Sequence, residues 1–174
     1  LSVLSCLAPH VAKAEQFHGV VSCALHSEAS VTLYRSRRIA DTHVYSLGLG
    51  GKFRKPIYGN EEESRGMSVK FQCVGDEDRV LILSGEFSSN YIQGLVVRYD
   101  EKRKTLDRLE FSERERPDLV YVGKDHVSVV IPSPAVEGGA RYIVYSLSSK
   151  NGRKVTREVT DSLPDVGGKY ELQR

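Results

Sequence analysis

The stretch Val80–Asp100, VLILSGEFSSNYIQGLVVRYD, contains two apolar runs on either side of a polar segment. The runs Val80–Leu83 and Ile92–Tyr99 are rich in Val, Ile, Leu and Tyr, which is typical of β-strands. The polar segment Ser84–Tyr91, about eight residues, exceeds the roughly two to five residues that a hairpin turn needs. We therefore expect a strand pair whose connecting loop is a binding site, since binding sites are common on loops held by a rigid scaffold. An ordinary exposed hairpin tip is the alternative.

The same order of elements occurs three times along the chain, at intervals of about fifty residues. Each unit has a short first strand, a second strand, a long polar loop, a longer third strand and a more polar fourth strand. The predicted strands are Val21–Cys23, Val31–Tyr34, His43–Leu49 and Phe53–Tyr58 in the first unit, Phe71–Cys73, Val80–Leu83, Ile92–Tyr99 and Thr105–Phe111 in the second, and Val120–Val122, Val127–Ile131, Arg141–Leu147 and Val155–Thr160 in the third.

This repeat predicts an all-β fold made of three four-stranded antiparallel sheets, arranged like propeller blades. The repeats lie near residues 19–66, 67–117 and 118–165, within a single domain of residues 15–174. No stretch shows a helical period with capping residues. Three blades are fewer than a closed ring usually contains, so we expect an open stack of sheets. A β-sandwich of about twelve strands is the alternative.

The first fourteen residues, LSVLSCLAPHVAKA, are apolar and small. They resemble the last part of a secretory signal peptide, because Ala12 and Ala14 stand where the small residues of a cleavage site are required. A mature chain would then begin near Glu15 and would be periplasmic or secreted. A lipobox that ends at Cys6, or an N-terminal strand or helix of the fold, are the alternatives.

Cysteine usage agrees with export. Removal of Cys6 with the signal leaves Cys23 and Cys73, an even pair for a compartment where disulfides persist. The two residues occupy equivalent positions in successive repeats, so a disulfide between the first two units is expected. Two buried free thiols are the alternative, and with Cys6 retained three pairings are possible.

In a four-stranded antiparallel unit, the long loop between the second and third strands emerges on the same face as the linkers between units. We expect this face to recognise another protein. A formal net charge of +2 among 174 residues, with both signs interspersed, does not favour nucleic acid. The absence of Trp makes a sugar-binding platform less attractive, and no apolar stretch is long enough to span a membrane. The loops are Arg35–Thr42, Ser84–Tyr91 and Pro132–Ala140, the linkers are Asn60–Gly66 and Ser112–Pro117, and their charges include Arg35, Arg37, Arg38, Glu61, Glu62 and Glu63.

Enzyme motifs were not found in the sequence. It has no nucleophile elbow, phosphate loop, zinc-protease helix or dinucleotide fingerprint. Ser88 has no base nearby in sequence, although His43 or His126 could approach it in the fold. The acidic run Asp76–Asp78 lacks the spacing of a calcium loop and reads as a surface turn. We expect no enzymatic activity, cofactor or metal.

The run RVLILSGEFSSNYIQGLVVRYD at Arg79–Asp100, followed by TLDRLEFSE at Thr105–Glu113, resembles the periplasmic immunity proteins of type VI secretion. In particular, it is similar to those that neutralise a secreted peptidoglycan amidase of the cysteine-protease-like class. The similarity extends from about Val69 to Ile131. It implies a small, exported, all-β protein that inserts a serine-bearing loop into the Cys–His active site of its toxin.

Applied to this chain, the resemblance implies that Ser84–Tyr91 is the inserted loop and that Ser88 or Ser89 donates a hydrogen bond to the toxin's catalytic histidine. Aromatic side chains beside the serines would supply the anchors of the interface. A non-catalytic propeller-like scaffold or sugar-binding module of the bacterial envelope is the alternative function. The expected partner-binding residues are Phe87, Ser88, Ser89, Asn90, Tyr91, Arg37 and Arg38.

Overall fold

Antiparallel β-strands make up the regular secondary structure of the computed structural model, which describes residues 16–51, 53–87, 90–133, 139–150 and 152–173. No helix occurs in these residues, so the all-β expectation is confirmed for them. The segment 1–14, where a signal peptide is expected, lies outside the described residues.

The strands form three meanders in chain order, and a final short strand follows. The first meander contains β1 (Phe17–His26), β2 (Ala29–Ser36), β3 (His43–Leu49) and β4 (Phe53–Pro56); the second contains β5 (Arg65–Gly75), β6 (Arg79–Glu86), β7 (Ile92–Asp100) and β8 (Thr105–Glu113); the third contains β9 (Leu119–Gly123), β10 (His126–Pro132), β11 (Tyr142–Ser148) and β12 (Lys154–Thr160); the last strand is β13 (Gly168–Glu171).

These strands build an eight-stranded and a five-stranded sheet, and neither closes on itself in the described part of the chain. Two residue pairs, His43 with Gly66 and Val44 with Arg65, join the first meander to the second. In the other sheet, β13 lies along the free edge of β9. Two open antiparallel sheets are compatible with the β-sandwich alternative, and the propeller-like arrangement of the repeats stays a prediction.

The central strands of the second meander, β6 and β7, are buried on both faces, which explains the unbroken apolar runs of the sequence. Val80 and Ile82 belong to a core against the third meander, which we call the second core. Leu81 and Leu83 belong to a core against the first meander, which we call the first core. A strand covered on both sides needs apolar residues at every position rather than at alternate ones. The central strands β6 and β7 therefore hold the three units together.

A disulfide joins Cys23 of β1 to Cys73 of β5, as the repeat alignment predicts. The Cα atoms are 5.5 Å apart, within the usual range for such a bond. No backbone ladder pairs β1 with β5 in the described residues, so the bond connects strands of two different meanders.

The predicted loop Ser84–Tyr91 is too long, because β6 continues through Ser84, Gly85 and Glu86. Serine and glycine normally indicate a turn, but here the lack of a side chain at Gly85 allows Val69 of β5 to approach closely. A Cβ atom at Gly85 would lie 2.6 Å from Val69 Cγ2. The connection is therefore residues 87–91, a length that by itself does not distinguish it from an ordinary hairpin.

Candidate functional site

The β6–β7 connection begins with Phe87, whose ring is packed on the first core. It meets Tyr58 edge-to-face with ring centroids 5.1 Å apart, and Tyr45 in the same manner at 6.1 Å. Such aromatic pairs contribute about 0.5–1.5 kcal/mol each beyond the area that they bury. Phe87 is half-buried, so it fixes the start of the loop and offers only part of its surface to a partner.

Gly66 of β5 makes room for this ring. A Cβ atom at Gly66 would lie 2.5 Å from Phe87 Cε1, a separation that real atoms do not adopt. The sequence pattern does not single out Gly66, because the close approach comes from a residue about twenty positions further along the chain. This glycine is a positioning residue that sequence reasoning missed.

The end of the loop, at Asn90 and Tyr91, is open to solvent. Asn90 is exposed and Tyr91 is 44% exposed. Met67 of β5, which pairs with Glu86 at the base of the loop, is 41% exposed. A large aromatic and a flexible thioether at the same end of the sheet are residue types typical of protein-binding sites. Met67 was not among the expected residues, and its only sequence signal is that the chain has a single methionine.

Ser88 and Ser89 lie outside the described residues, and so do residues 134–138 of the loop predicted at Pro132–Ala140. The hydrogen bond that Ser88 or Ser89 is expected to donate to a toxin stays a prediction.

Arg37 and Arg38 lie in the exposed β2–β3 connection. The guanidinium of Arg38 forms an ion pair with Asp41 three residues later. Both side chains are well exposed, so this pair adds little stability. The base of the connection is fixed by a hydrogen bond between His43 Nδ1 and the carbonyl oxygen of Ser36, 2.9 Å long. Arg37 and Arg38 are thus presented on a fixed turn.

Ring contacts connect this turn to the β6–β7 loop. His43 meets Tyr45 with ring centroids 6.3 Å apart, and Tyr45 in turn meets Phe87. Burial raises the pKa of Tyr45, although the nearby Arg35 acts in the opposite direction. The expectation that the first two long loops share one edge agrees with these contacts.

Arg116, in the linker between the second and third meanders, stabilises the base of the β6–β7 loop. Its Nη1 donates to the carbonyl oxygen of Ser84 at 2.9 Å, and its Nη2 donates to that of Ser68 at 2.6 Å. Hydrogen bonds from a charged donor are stronger than neutral ones. Arg116 therefore ties β5 and β6 together just before the loop begins, a role that the sequence did not indicate.

The acidic linker after β4 lies beside Tyr58. Glu61 and Glu62 are exposed, while the Tyr58 backbone N–H donates to Ser64 Oγ at 2.9 Å. The Tyr58 hydroxyl is buried without a hydrogen bond in the described structure. Burial, and secondarily the charge of Glu110, raises its pKa, so this phenol stays neutral. The ring of Tyr58 thus acts as an apolar support for Phe87.

Each of the two histidines considered as a catalytic base has one ring nitrogen in a hydrogen bond. His43 contacts the Ser36 carbonyl, and His126 Nε2 lies 2.6 Å from Ser128 Oγ, at the opposite end of the strands from the β6–β7 loop. Asp76, in the acidic turn, accepts a hydrogen bond from the Tyr170 hydroxyl at 3.0 Å. Within the described ranges, no group of three His, Cys, Asp or Glu side chains could hold a metal ion.

Taken together, the geometry defines an all-β, disulfide-linked protein with a loop edge of mixed apolar and charged character. We refer to Arg37, Arg38, Met67, Asn90 and Tyr91 as the loop edge. No helix in the described residues has the length and apolar character needed to cross a membrane. No protein-family model, curated protein or solved structure was found to match the chain.

Proposed function

We propose that the chain is an exported binding protein that inhibits a peptidoglycan-degrading amidase toxin, and thus acts as an immunity protein. The observation that carries this proposal is the loop edge, where exposed Tyr91 follows the anchored Phe87 and exposed Met67 lies at the same end of the sheet. An exposed aromatic on a fixed loop is the usual form of an interface anchor.

The fixed base of the loop favours tight binding. Association costs conformational entropy for every flexible segment that becomes ordered. Phe87 packs against two tyrosine rings, and Arg116 donates hydrogen bonds to β5 and β6. These contacts fix the base of the loop in the unbound protein. More of the contact energy of Tyr91 is then available as affinity.

The chemistry of the loop edge suits a protein partner. Arg37 provides positive charge on one connection, where Asp41 offsets the charge of Arg38, while Glu61 and Glu62 provide negative charge on the linker after β4. A mixed pattern favours charge complementarity with one protein surface over binding to a uniformly charged polymer. Following the resemblance, Ser88 or Ser89 would donate a hydrogen bond to the catalytic histidine of the amidase.

A periplasmic location is part of this proposal. The Cys23–Cys73 disulfide supports it, because such bonds persist in oxidising compartments and are rare in the cytosol of mesophiles. We also propose that the three meanders are arranged as propeller-like blades. Support comes from the pairing of each meander in chain order and from the cores on both faces of β6 and β7.

The test begins with capture of a partner. Mature protein used as bait in a periplasmic extract of the native host should retain an exported peptidoglycan amidase and should inhibit its activity on purified cell wall. Failure to capture or inhibit any such amidase would contradict the proposal. Binding to the cell wall itself, without an enzyme partner, would instead support the envelope-module alternative.

Substitution then tests the loop edge. We expect Tyr91→Ala to weaken the complex by about 30-fold, since an aromatic anchor contributes roughly 2 kcal/mol or more. Arg37→Ala, a change of one exposed charge on the same edge, should weaken it by about threefold or less. Calorimetry measures both affinities. Equal affinities for the Tyr91 variant and the parent would rule out this edge as the interface.

A further inference from the structure

The outer edge of β8 is open in the described part of the chain. β8 is the last strand of the eight-stranded sheet, and no described strand pairs with it on the side away from β7. On that outer side the carbonyl oxygen of Arg108 accepts a hydrogen bond from Arg153 Nη2 at 2.9 Å. Backbone groups in an antiparallel strand alternate in direction from residue to residue, so Glu110 and Ser112 present their N–H and C=O groups on the same side as Arg108. No described backbone group from outside the sheet bonds to either residue there.

A groove of about 410 Å³ lies at this part of the edge, and we call it the β8 groove. Phe111 and Tyr145 line it on the side of the second core, and Tyr58 lines it on the side of the first core. The side chains of Glu110 and Ser112 lie on the first-core side, because successive residues of a strand alternate between faces and Phe111 is buried in the second core. The volume is in the usual range of a ligand pocket, about 300–1,000 Å³. The open edge is thus flanked by aromatic walls on both faces.

The first-core side of the groove is acidic. Glu63 and Glu110 line the groove, and no described lysine or arginine does. Arg108 pairs with Glu110 at 2.9 Å, but both side chains are exposed enough for water to screen this pair. Glu63 forms no ion pair in the described residues, and its carboxylate accepts a hydrogen bond from the neutral amide of Asn60 at 2.7 Å. A basic side chain placed in the groove would therefore meet a carboxylate that has no cation partner.

We propose that the β8 groove binds an extended, basic peptide segment of a protein partner, which adds to β8 as an antiparallel strand. Strand addition to an open sheet edge is a common mode of peptide recognition, in which backbone hydrogen bonds give affinity and side-chain pockets give specificity. Antiparallel addition continues the arrangement of this sheet, whose described strand pairs are all antiparallel. This surface is separate from the inserted loop, and its test requires no amidase.

The geometry of the edge determines which peptide the groove prefers. In an antiparallel pair, directly opposed residues have their side chains on the same face. Peptide residues whose backbone groups bond to Glu110 and Ser112 therefore project toward Glu63, and these should be lysine or arginine. The residues between them project toward Phe111 and Tyr145, and these should be apolar. The expected ligand is a strand in which basic and apolar residues alternate.

Peptide binding followed by fluorescence anisotropy tests the proposal. The probe is a labelled hexapeptide in which lysine alternates with valine, and the control peptide has glutamate in place of lysine. We expect saturable binding of the lysine peptide at low ionic strength, and binding of the glutamate peptide that is weaker by at least about tenfold. The backbone amides of Glu110 and Ser112 should become protected from hydrogen exchange only when the peptide binds.

Three results would overturn the proposal. The first is equal affinity for the two peptides, and the second is no binding of the lysine peptide at concentrations up to about 1 mM. The third is protection of the Glu110 and Ser112 amides in the protein without peptide, since another part of the chain or a second copy would then occupy the edge.

Backbone methylation of the probe separates strand addition from simple charge attraction. Methyl groups on the lysine amides remove the donors that face β8, whereas methyl groups on the valine amides point away from it. We expect the lysine-methylated peptide to bind at least about tenfold more weakly than the unmodified probe, and the valine-methylated peptide to bind within about threefold of it. Equal losses for the two methylated peptides would refute antiparallel addition.

Variants of the groove provide the matching test on the protein. Ser112→Pro removes the outward amide, which an edge strand tolerates, and should weaken the lysine peptide by at least about tenfold. Ser112→Ala keeps that amide and should leave the affinity within about twofold. Glu63→Lys, at an exposed position outside the strand, should weaken the lysine peptide and strengthen the glutamate peptide, and it serves if the proline variant does not fold. Affinities unchanged by Ser112→Pro or by Glu63→Lys would refute the site.

Discussion

The Cys23–Cys73 disulfide is expected to supply a large share of the folding stability. It closes a loop with a sequence separation of 50 residues. The chain-entropy relation for crosslinks gives about 4 kcal/mol for a loop of this length, because the unfolded chain loses freedom. Domains of this size unfold with about 5–15 kcal/mol in total. The bond would thus account for roughly a quarter of the stability or more.

Alanine is the appropriate replacement at both positions. Cys23 is fully buried, and a serine hydroxyl there would lack a partner, at a cost of about 1–3 kcal/mol. The double variant Cys23→Ala/Cys73→Ala leaves a small space that costs about 1 kcal/mol more. We therefore expect the free energy of unfolding to fall by about 4–6 kcal/mol and Tm to fall by about 10–20 °C.

Urea unfolding followed by circular dichroism measures this difference. The parent protein treated with reductant should behave like the double variant, and reductant should not change the variant. The urea dependence, or m-value, should rise in the variant because its unfolded state exposes more surface. A loss of stability below about 1 kcal/mol would refute the loop-entropy reasoning.

Gly66→Ala tests the support of the β6–β7 loop, and Asp100→Asn tests the hydrogen-bonded carboxylate of Asp100. Gly66→Ala should push the Phe87 ring away, lower the free energy of unfolding by about 1–3 kcal/mol and weaken partner binding. Gly59→Ala is the control, because its Cβ would meet only the end of a flexible side chain. It should have little effect on unfolding or on binding. Equal effects of the two alanines would contradict the support role. Burial alone would raise the pKa of Asp100, but hydrogen bonds from the backbone and guanidinium of Arg103 lower it below the ordinary 3.8. The stability that the ionised Asp100 contributes is therefore present above that pH and lost below it. The difference in free energy of unfolding between the parent and Asp100→Asn, measured by urea titration, should shrink as the pH falls from about 6 to 3. A difference that stays constant would contradict this assignment.

The strand pattern of the sequence accounts for much of the observed secondary structure. Each predicted strand overlaps an observed one, because apolar runs bounded by polar turns are a local signal. The boundaries are less accurate. Phe53–Tyr58 was predicted as one strand, but β4 ends at Pro56, and Ile57 turns into the first core. The short polar strand β13 was not predicted, since four residues with little apolar character carry no such signal.

The candidate site was predictable only in part. The location of the loop between β6 and β7 and the exposure of Tyr91 agree with the sequence reading. Phe87 was expected at the rim but is half-buried on Tyr45 and Tyr58. Met67 was not anticipated, because its proximity to the loop results from strand pairing.

The sequence by itself determined the all-β class and the three groups of four strands, because the hydrophobic period is a local property of the chain. It favoured the pairing of Cys23 with Cys73 through their repeat positions, and the structure selected that pairing from the open alternatives. Only the tertiary structure decided that Gly85 belongs to a strand, that Gly66 gives space to Phe87 and that the charge of Arg98 is buried. Each of these depends on which distant residue lies opposite. Close approach and loss of solvent are properties of contacts between strands far apart in sequence, so a local pattern does not contain them.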